Sequence, residues 1–307
     1  MIRFSPLLLL SLILGSSTSW ADNGELIISG WGGAYEQAQT VSYFQPFENE
    51  HDVRIKIRPY NGGIGPLDFL EHPGDPGWDV LDMTESDALA ACNERLLKEF
   101  DKSVLISAPD GTAATKDFFD GSIFKCGVAH VSYADVIAYD DRAFPNVKPN
   151  SVADFFDIDR FPGKRALPRR PIAILEWAML SYNVPVSQIY DLLSTERGFK
   201  LVSKRLNQLK GNIVWWEQGH EPVDLLSEGE VAMASGFNGR FDDARVNHDI
   251  PITIIPDGQF VQLSVWGIHR QARRPDLAAQ FIAFATKTER MAALSNILSY
   301  GPTRKSA

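Results

Sequence analysis

Through the first hundred residues the apolar pattern changes period again and again, and that alternation limits the fold more than any other feature of the chain. Leu26–Ser29 is a short apolar run of the kind buried on both faces of a sheet. Tyr35–Asn49 follows with Ala38, Val41, Phe44 and Phe47 at three- and four-residue steps, which predicts a helix. Val53, Ile55 and Ile57 then alternate with polar residues, as in a half-buried strand. Asp79–Met83 is another short buried strand, and Ser86 is placed to cap a helix running to about Leu97. This rhythm predicts an α/β fold, a mostly parallel sheet with helices on both faces.

Further on, Gly127–Tyr139 (GVAHVSYADVIAY) is long, apolar and poor in turn signals, and reads as one extended strand crossing between two lobes. Ser151 caps a helix over Val152–Phe156, a turn follows at Phe161-Pro162-Gly163-Lys164, and helices are expected near Ile174–Ser181 and Gly198–Leu209. Val231–Ser235 and Ile252–Ile255 read as strands, Leu263–Ile268 as a second crossing strand, and Pro275 opens a helix through Phe284. At 307 residues, 44% of them hydrophobic, the chain has material for two domains.

The first 21 residues read as a signal peptide: Arg3 is the basic region, Pro6–Leu14 an apolar stretch too short to span a bilayer, and Ser19-Trp20-Ala21 a small-residue cleavage site. An exported, periplasmic protein follows, and no cysteine after the cut offers a lipid anchor. In an oxidising compartment the two cysteines, Cys92 and Cys126, are expected to form one disulfide. The net charge of −9 argues against a nucleic-acid partner. The six histidines show no metal-ligand spacing and no Gly-x-Ser-x-Gly elbow is present. Gly163-Lys164 resembles the end of a phosphate-binding loop, but Ile158 stands where its first glycine belongs, and the glycines at 30–33 lack the dinucleotide register. No metal, no cofactor and no catalytic residues are therefore expected.

Aromatic and charged residues fall where such folds bind ligands, outside the carboxyl ends of strands. Trp31 stands among Gly30, Gly32 and Gly33 at the first strand-to-helix turn, either as an exposed wall or packed over the turn. Thr84 and Glu85 follow the Asp79–Met83 strand. Glu176 interrupts an apolar run and needs solvent or a cation. Trp215 and Trp216 cannot both face a core, so one, taken as Trp215, is expected in a cleft. Arg240 follows the turn after Phe237; it either lines the site or pairs with Asp242 or Asp243 on the surface.

Taken in order, SGWGGAY, WDVLDMTESDA, KRALPRRPIAILEWAM, IVWWEQG, GFNGR, VWGI and YGPT resemble, from about Glu25 to Thr303, the periplasmic substrate-binding components of ABC importers in the spermidine/putrescine-binding-like branch. The resemblance implies a two-lobed type II periplasmic binding fold: 22–134 and 263–300 forming lobe 1, 135–262 forming lobe 2, two crossing strands between them, and 301–307 starting a segment expected to continue. By position it implies ligand contacts from Trp31, Thr84, Glu176, Phe237 and Tyr300, with Trp215 and Trp266 counted beside them. Two positions depart from polyamine binders: Ser264 stands where the returning strand carries an aspartate, and Arg240 where another acidic residue is usual.

That exchange leaves one anionic end, Glu176 with Glu85, and turns the other into a guanidinium, which suits a carboxylate. The expected ligand is an aminocarboxylate such as γ-aminobutyrate, captured by hinge closure and delivered by a monomer to an inner-membrane permease. If Arg240 pairs on the surface instead, putrescine or spermidine becomes the expectation; a secreted α/β enzyme is the alternative of another class, and a sensor that hands its ligand to a receptor shares the same capture chemistry.

Overall fold

The computed structural model describes residues 24–68 and 77–307; the signal peptide read at residues 1–21 lies outside them. Among the described residues eleven strands form one sheet: β1 (Glu25–Gly30), β2 (Arg54–Pro59), β3 (Val80–Thr84), β4 (Ile123–Phe124), β5 (Gly127–Asp140), β6 (Arg165–Pro168), β7 (Ile213–Trp216), β8 (Met233–Phe237), β9 (Ile252–Ile254), β10 (Phe260–Ile268) and β11 (Gly301–Pro302). Their order is β2-β1-β3-β10-β5-β8-β6-β7, with β4, β9 and β11 added along β5. The trios at the two ends are parallel, as the alternating pattern predicts. The two strands between them, β5 and β10, run antiparallel to each other, and β10 has a register irregularity between Ser264 and Val265.

β5 extends for 14 residues because almost all of it is covered. Its first half pairs with β10, β4 and β11, and its second half with β8 and β9. It thus passes from one group of strands to the other, as read from GVAHVSYADVIAY.

The helix after β1 begins at Gly33 and runs to His51 with its middle turn, Thr40–Phe44, in π geometry. The wide turn keeps Tyr35, Ala38 and Gln39 before it, Phe44 at its end and Phe47 after it, all facing the core. Phe44 and Phe47 pack on Phe281, and Phe47 also on Phe284, from the helix Pro275–Ala285. Each such fully buried side chain contributes roughly 1.5–3 kcal/mol relative to exposure. A separate core lies under Phe155, Phe161, Leu167 and Trp177.

Polar pins fix the ends of the strands. Asp79 accepts from the Ile27 backbone N–H at 2.9 Å and from the Arg273 N–H at 2.8 Å, tying β1 to the segment after β10. Cys92 and Cys126 form the expected disulfide, with Cα atoms 5.7 Å apart. Residues 301–304 run beside β5: Thr303 and Arg304 are buried, and Arg304 Nη1 lies 3.1 Å from Asp117 Oδ2.

Two local expectations are corrected. The helix after β3 is capped by Thr84, whose Oγ1 accepts from the Asp87 N–H at 3.2 Å, and not by Ser86. That helix ends at Asn93, and Leu96 and Leu97 leave it to enter the core. The strand expected at 231–235 lies at Met233–Phe237, which carries Phe237 to the strand end.

Candidate functional site

The carboxyl ends of β1, β3 and β8 open on a cavity whose free space, counted out into open solvent, is about 350 Å³, lined by Trp31, Tyr35, Thr84, Tyr133, Phe237, Arg240, Ser264 and Tyr300. A second chamber of about 250 Å³ adjoins it, lined by Thr84, Tyr133, Asp135, Pro168, Arg170, Ile172, Phe237 and Gln262. Thr84, Tyr133 and Phe237 belong to both, so they form the waist between them. Arg240 faces only the first chamber, Asp135 only the second.

Trp31 is both wall and packing. Its indole N–H donates to the Asp82 backbone carbonyl at 3.0 Å and its ring meets the Tyr60 edge at 5.2 Å, leaving a held face on the cavity. The glycines after it serve a neighbour. Gly33 has φ of +63°, and a Cβ there would stand 2.7 Å from Arg240 Nη1. Only glycine accepts both that conformation and that approach.

Arg240 is buried. Its Nη2 donates to the Trp31 carbonyl at 3.1 Å and the Tyr300 hydroxyl lies against the guanidinium, while Nε and Nη1 make no well-formed hydrogen bond among the described residues. The surface pairing with Asp242 is absent: Arg245 takes that carboxylate at 2.6 Å. Where the sequence suggests a turn before Arg240, Asn238, Gly239 and Arg240 form the first turn of a helix, Asn238–Asn247, and its start is tightly specified. Asn238 accepts from the Ala134 N–H at 2.9 Å and donates to the Ser299 carbonyl at 2.7 Å. Gly239 lies so close to Tyr300 that a Cβ would meet its ring at 2.6 Å.

Asp135, on β5, accepts from Gln262 Nε2. Burial pushes its carboxyl up to about 7, against the Gln262 hydrogen bond and the nearby Arg170. Arg170 lies over the rings of Trp31 and Trp216, at 5.9 and 5.8 Å. Beneath the first chamber Asp82 is fully buried. Tyr35 Oη donates to it at 2.8 Å, Gln39 Nε2 at 2.7 Å, and Ser264 Oγ also reaches it, with His130 Nε2 at 3.2 Å. Burial, then Asp82, hold the Tyr35 phenol well above its ordinary value. The Tyr300 phenol is pushed up to about 12 by burial, with Arg240 opposing.

Of the residues singled out in the sequence, Trp31, Thr84, Phe237, Arg240, Ser264 and Tyr300 come together on the lining. The other four do not. Glu85 is the first residue of the helix behind Thr84. Glu176 is half-buried outside both chambers, where Tyr190 Oη donates to it at 3.1 Å; it reaches the site only as a negative charge felt by Asp135. Trp215 is 46% exposed, in a groove with Leu175 and Leu206, while its buried neighbour Trp216 backs Phe237. Trp266 is sealed in the core, stacked on His130 at 4.3 Å and edge-on to Phe281. Sequence reasoning missed Tyr35, Asp82, Tyr133, Asp135, Arg170 and Gln262. The signal for Asp82 and Asp135 was present: each is a carboxylate inside an otherwise apolar strand, a placement that needs partners.

Comparison with known proteins bears on this site. The sequence profile of the bacterial extracellular solute-binding protein family matches residues 42–307. A γ-aminobutyric acid-binding protein of Pseudomonas aeruginosa is 31% identical over 302 residues, 98% of this chain and 83% of that protein. Among solved structures, the PBP MotA of A. tumefaciens B6 in complex with glucopine superposes with a TM-score of 0.83 at 26% identity, covering 92% of this chain and 84% of that one. An ABC transporter substrate-binding protein from Bradyrhizobium japonicum USDA 110 gives 0.76 at 28% identity over the same shares.

Proposed function

The chain belongs to the bacterial extracellular solute-binding protein family, and we propose that the solute it captures is a small aminocarboxylate, of which γ-aminobutyrate is the favoured case. The observation that carries the reading is Arg240: a buried guanidinium on the cavity wall whose Nε and Nη1 make no well-formed hydrogen bond among the described residues. An unpaired buried cation is costly, and a ligand carboxylate supplies the missing partner in a geometry the guanidinium fits. Across the waist lies Asp135, so an extended ligand with its carboxylate at Arg240 brings its ammonium to the waist, with the Asp135 carboxyl ahead of it and the Tyr35 and Ser264 hydroxyls in the chamber behind. Trp31, Tyr133, Phe237 and Tyr300 line the space between, suited to an alkyl chain and to an ammonium over a ring face. Asp135 thus takes the role that the sequence assigned to Glu176.

The relative that binds γ-aminobutyric acid and the chemistry of Arg240 point the same way. The division into 22–134 with 263–300 and 135–262 fits this function, since the chambers lie where β5 and β10 cross. We assign the protein to the periplasm, as a monomer that hands its ligand to an ABC permease, a role supported by the substrate-binding neighbour.

A thermal-shift panel on residues 22–307 tests the assignment, with γ-aminobutyrate, other amino acids, putrescine, spermidine and plain carboxylates. Ligand at about 1,000 times its Kd stabilises by about 4 kcal/mol. A shift with aminocarboxylates and none with diamines is expected. A shift with diamines alone would place an ammonium beside Arg240 and overturn the reading.

A further inference from the structure

Asp82 stands behind the cavity lining and receives four side-chain donors. Tyr35 Oη and Gln39 Nε2 approach Oδ2, at 2.8 and 2.7 Å, and His130 Nε2 approaches Oδ1 at 3.2 Å, where Ser264 Oγ also bonds. A carboxylate offers about four lone-pair directions and no proton. Here every one is used, and each of the four neighbours must therefore be the donor.

The consequence falls on the two neighbours that also line the cavity, Tyr35 and Ser264. A hydroxyl has one proton. Once that proton points at Asp82, only lone pairs are left to face the ligand. The alternatives lead to the same place. Beyond the Tyr35 hydroxyl beside it, which in accepting still gives its own proton to Asp82, the second acceptor within reach of Ser264 Oγ is the Met83 carbonyl at 3.4 Å, on the same strand as Asp82. For Tyr35 it is His130 Nε2 at 3.4 Å, and that bond needs the imidazole proton on Nδ1. Nδ1 is buried with no partner, so a proton there is an orphan donor, while Oδ1 loses one of its own.

We infer that Asp82 is the positioning residue that fixes the hydrogen-bond polarity of the first chamber, making acceptors of the Tyr35 and Ser264 hydroxyls and so requiring a donor-bearing group, ammonium or hydroxyl, on the ligand. The inference rests on the aminocarboxylate reading and adds the group that enforces it. Arg240 offers only donors to the cavity, Tyr35 and Ser264 only acceptors. A dicarboxylate of matching length satisfies the first and leaves the second facing lone pairs, and a site built for a donor rejects the analogue that lacks it.

Two measurements test this. The first needs no ligand: in tyrosine-labelled protein, a downfield, exchange-protected phenolic proton is expected, absent in Tyr35→Phe and shifted upfield in Asp82→Asn. A phenolic proton of Tyr35 that exchanges freely would overturn the inference. The second compares γ-hydroxybutyrate with γ-fluorobutyrate, close in size but unable to donate, each competed against γ-aminobutyrate. The hydroxyl analogue should bind about tenfold more tightly or better, and Asp82→Asn, whose amide can donate back to the hydroxyls, should bring the ratio towards one. An unchanged ratio in a folded Asp82→Asn protein sinks the inference while the ligand assignment stands. If no aminocarboxylate binds, the assignment falls and the proton spectrum still decides the hydroxyl direction. Should Asp82→Asn not fold, the wild-type spectrum and Ser264→Ala, expected to narrow the same ratio, decide it.

Discussion

Arg240 shows how one side chain trades stability for binding. Its guanidinium is desolvated and only partly paired. Removing a buried charge of this kind and leaving an apolar side chain of similar length is often neutral or stabilising. Arg240→Met should therefore leave the melting temperature of the free protein unchanged or higher. It should also weaken γ-aminobutyrate by about a hundredfold, since hydrogen bonds to charged groups are worth about 1.5–3 kcal/mol; calorimetry and a melting curve on one sample check both. Asp135 makes a second prediction. Burial lifts its carboxyl from the ordinary 3.8 to about 7. Between those values the folded chain keeps a proton that the unfolded chain has lost, so stability falls as pH rises from about 4 to 7. The fall is a few kcal/mol at most, and Asp135→Asn should flatten it in melting curves across that window. Affinity for an ammonium ligand should rise through the same range. Six of the ten candidate ligand residues lie on the cavity lining; Trp31, Thr84 and Phe237 were readable from their places at strand ends, while Ser264 lies within β10 and came only from the resemblance. The other four lie off the lining for reasons of exposure and depth. Trp215 was chosen as the open member of its pair, yet the covered Trp216 is the one behind the site; Trp266 lies deeper along the strand that carries Ser264.

Elements were easier to read than their edges. Long apolar runs fixed β5 and β10, whereas Asn238-Gly239, read as a turn, opens the helix Asn238–Asn247. Thr84 and Ser86 are equivalent caps in a sequence, and only the path of β3 decides between them. The disulfide joins the end of the helix Glu85–Asn93 to the start of β5, and both these elements border the site. With the cysteines 34 positions apart in sequence, closing that loop in the unfolded chain is worth about 3–4 kcal/mol. The Cys92→Ser/Cys126→Ser protein should lose close to that amount in denaturant unfolding, with γ-aminobutyrate affinity changed by less than a few-fold. A large loss of affinity instead would mean that the bridge holds Thr84 in place.

On the scale of the whole molecule, two strands carry the chain between the halves, and the Arg240–Trp31 bond spans the same gap between Trp31 after β1 and Arg240 after β8. On the capture mechanism proposed above, this bond and the waist open for ligand release. Bending should concentrate near Ala134 in β5 and at the irregularity between Ser264 and Val265 in β10. Solution scattering should show a smaller radius of gyration with γ-aminobutyrate than without, and hydrogen exchange should be slowed by ligand at those two places. An unchanged radius would mean that the site fills without closure.

The π turn at Thr40–Phe44 has a different kind of consequence, for what insertions and deletions the chain tolerates. Such a turn holds one residue more than the regular helix around it. Deleting a residue there restores a regular helix but rotates one half against the other by about 100°. With Phe44 and Phe47 anchored on the helix Pro275–Ala285, the half that turns is the one bearing Tyr35 and Gln39, away from Asp82. The shortened protein gains backbone regularity and loses its ligand, so length at this point is held by position in the site and not by the helix itself.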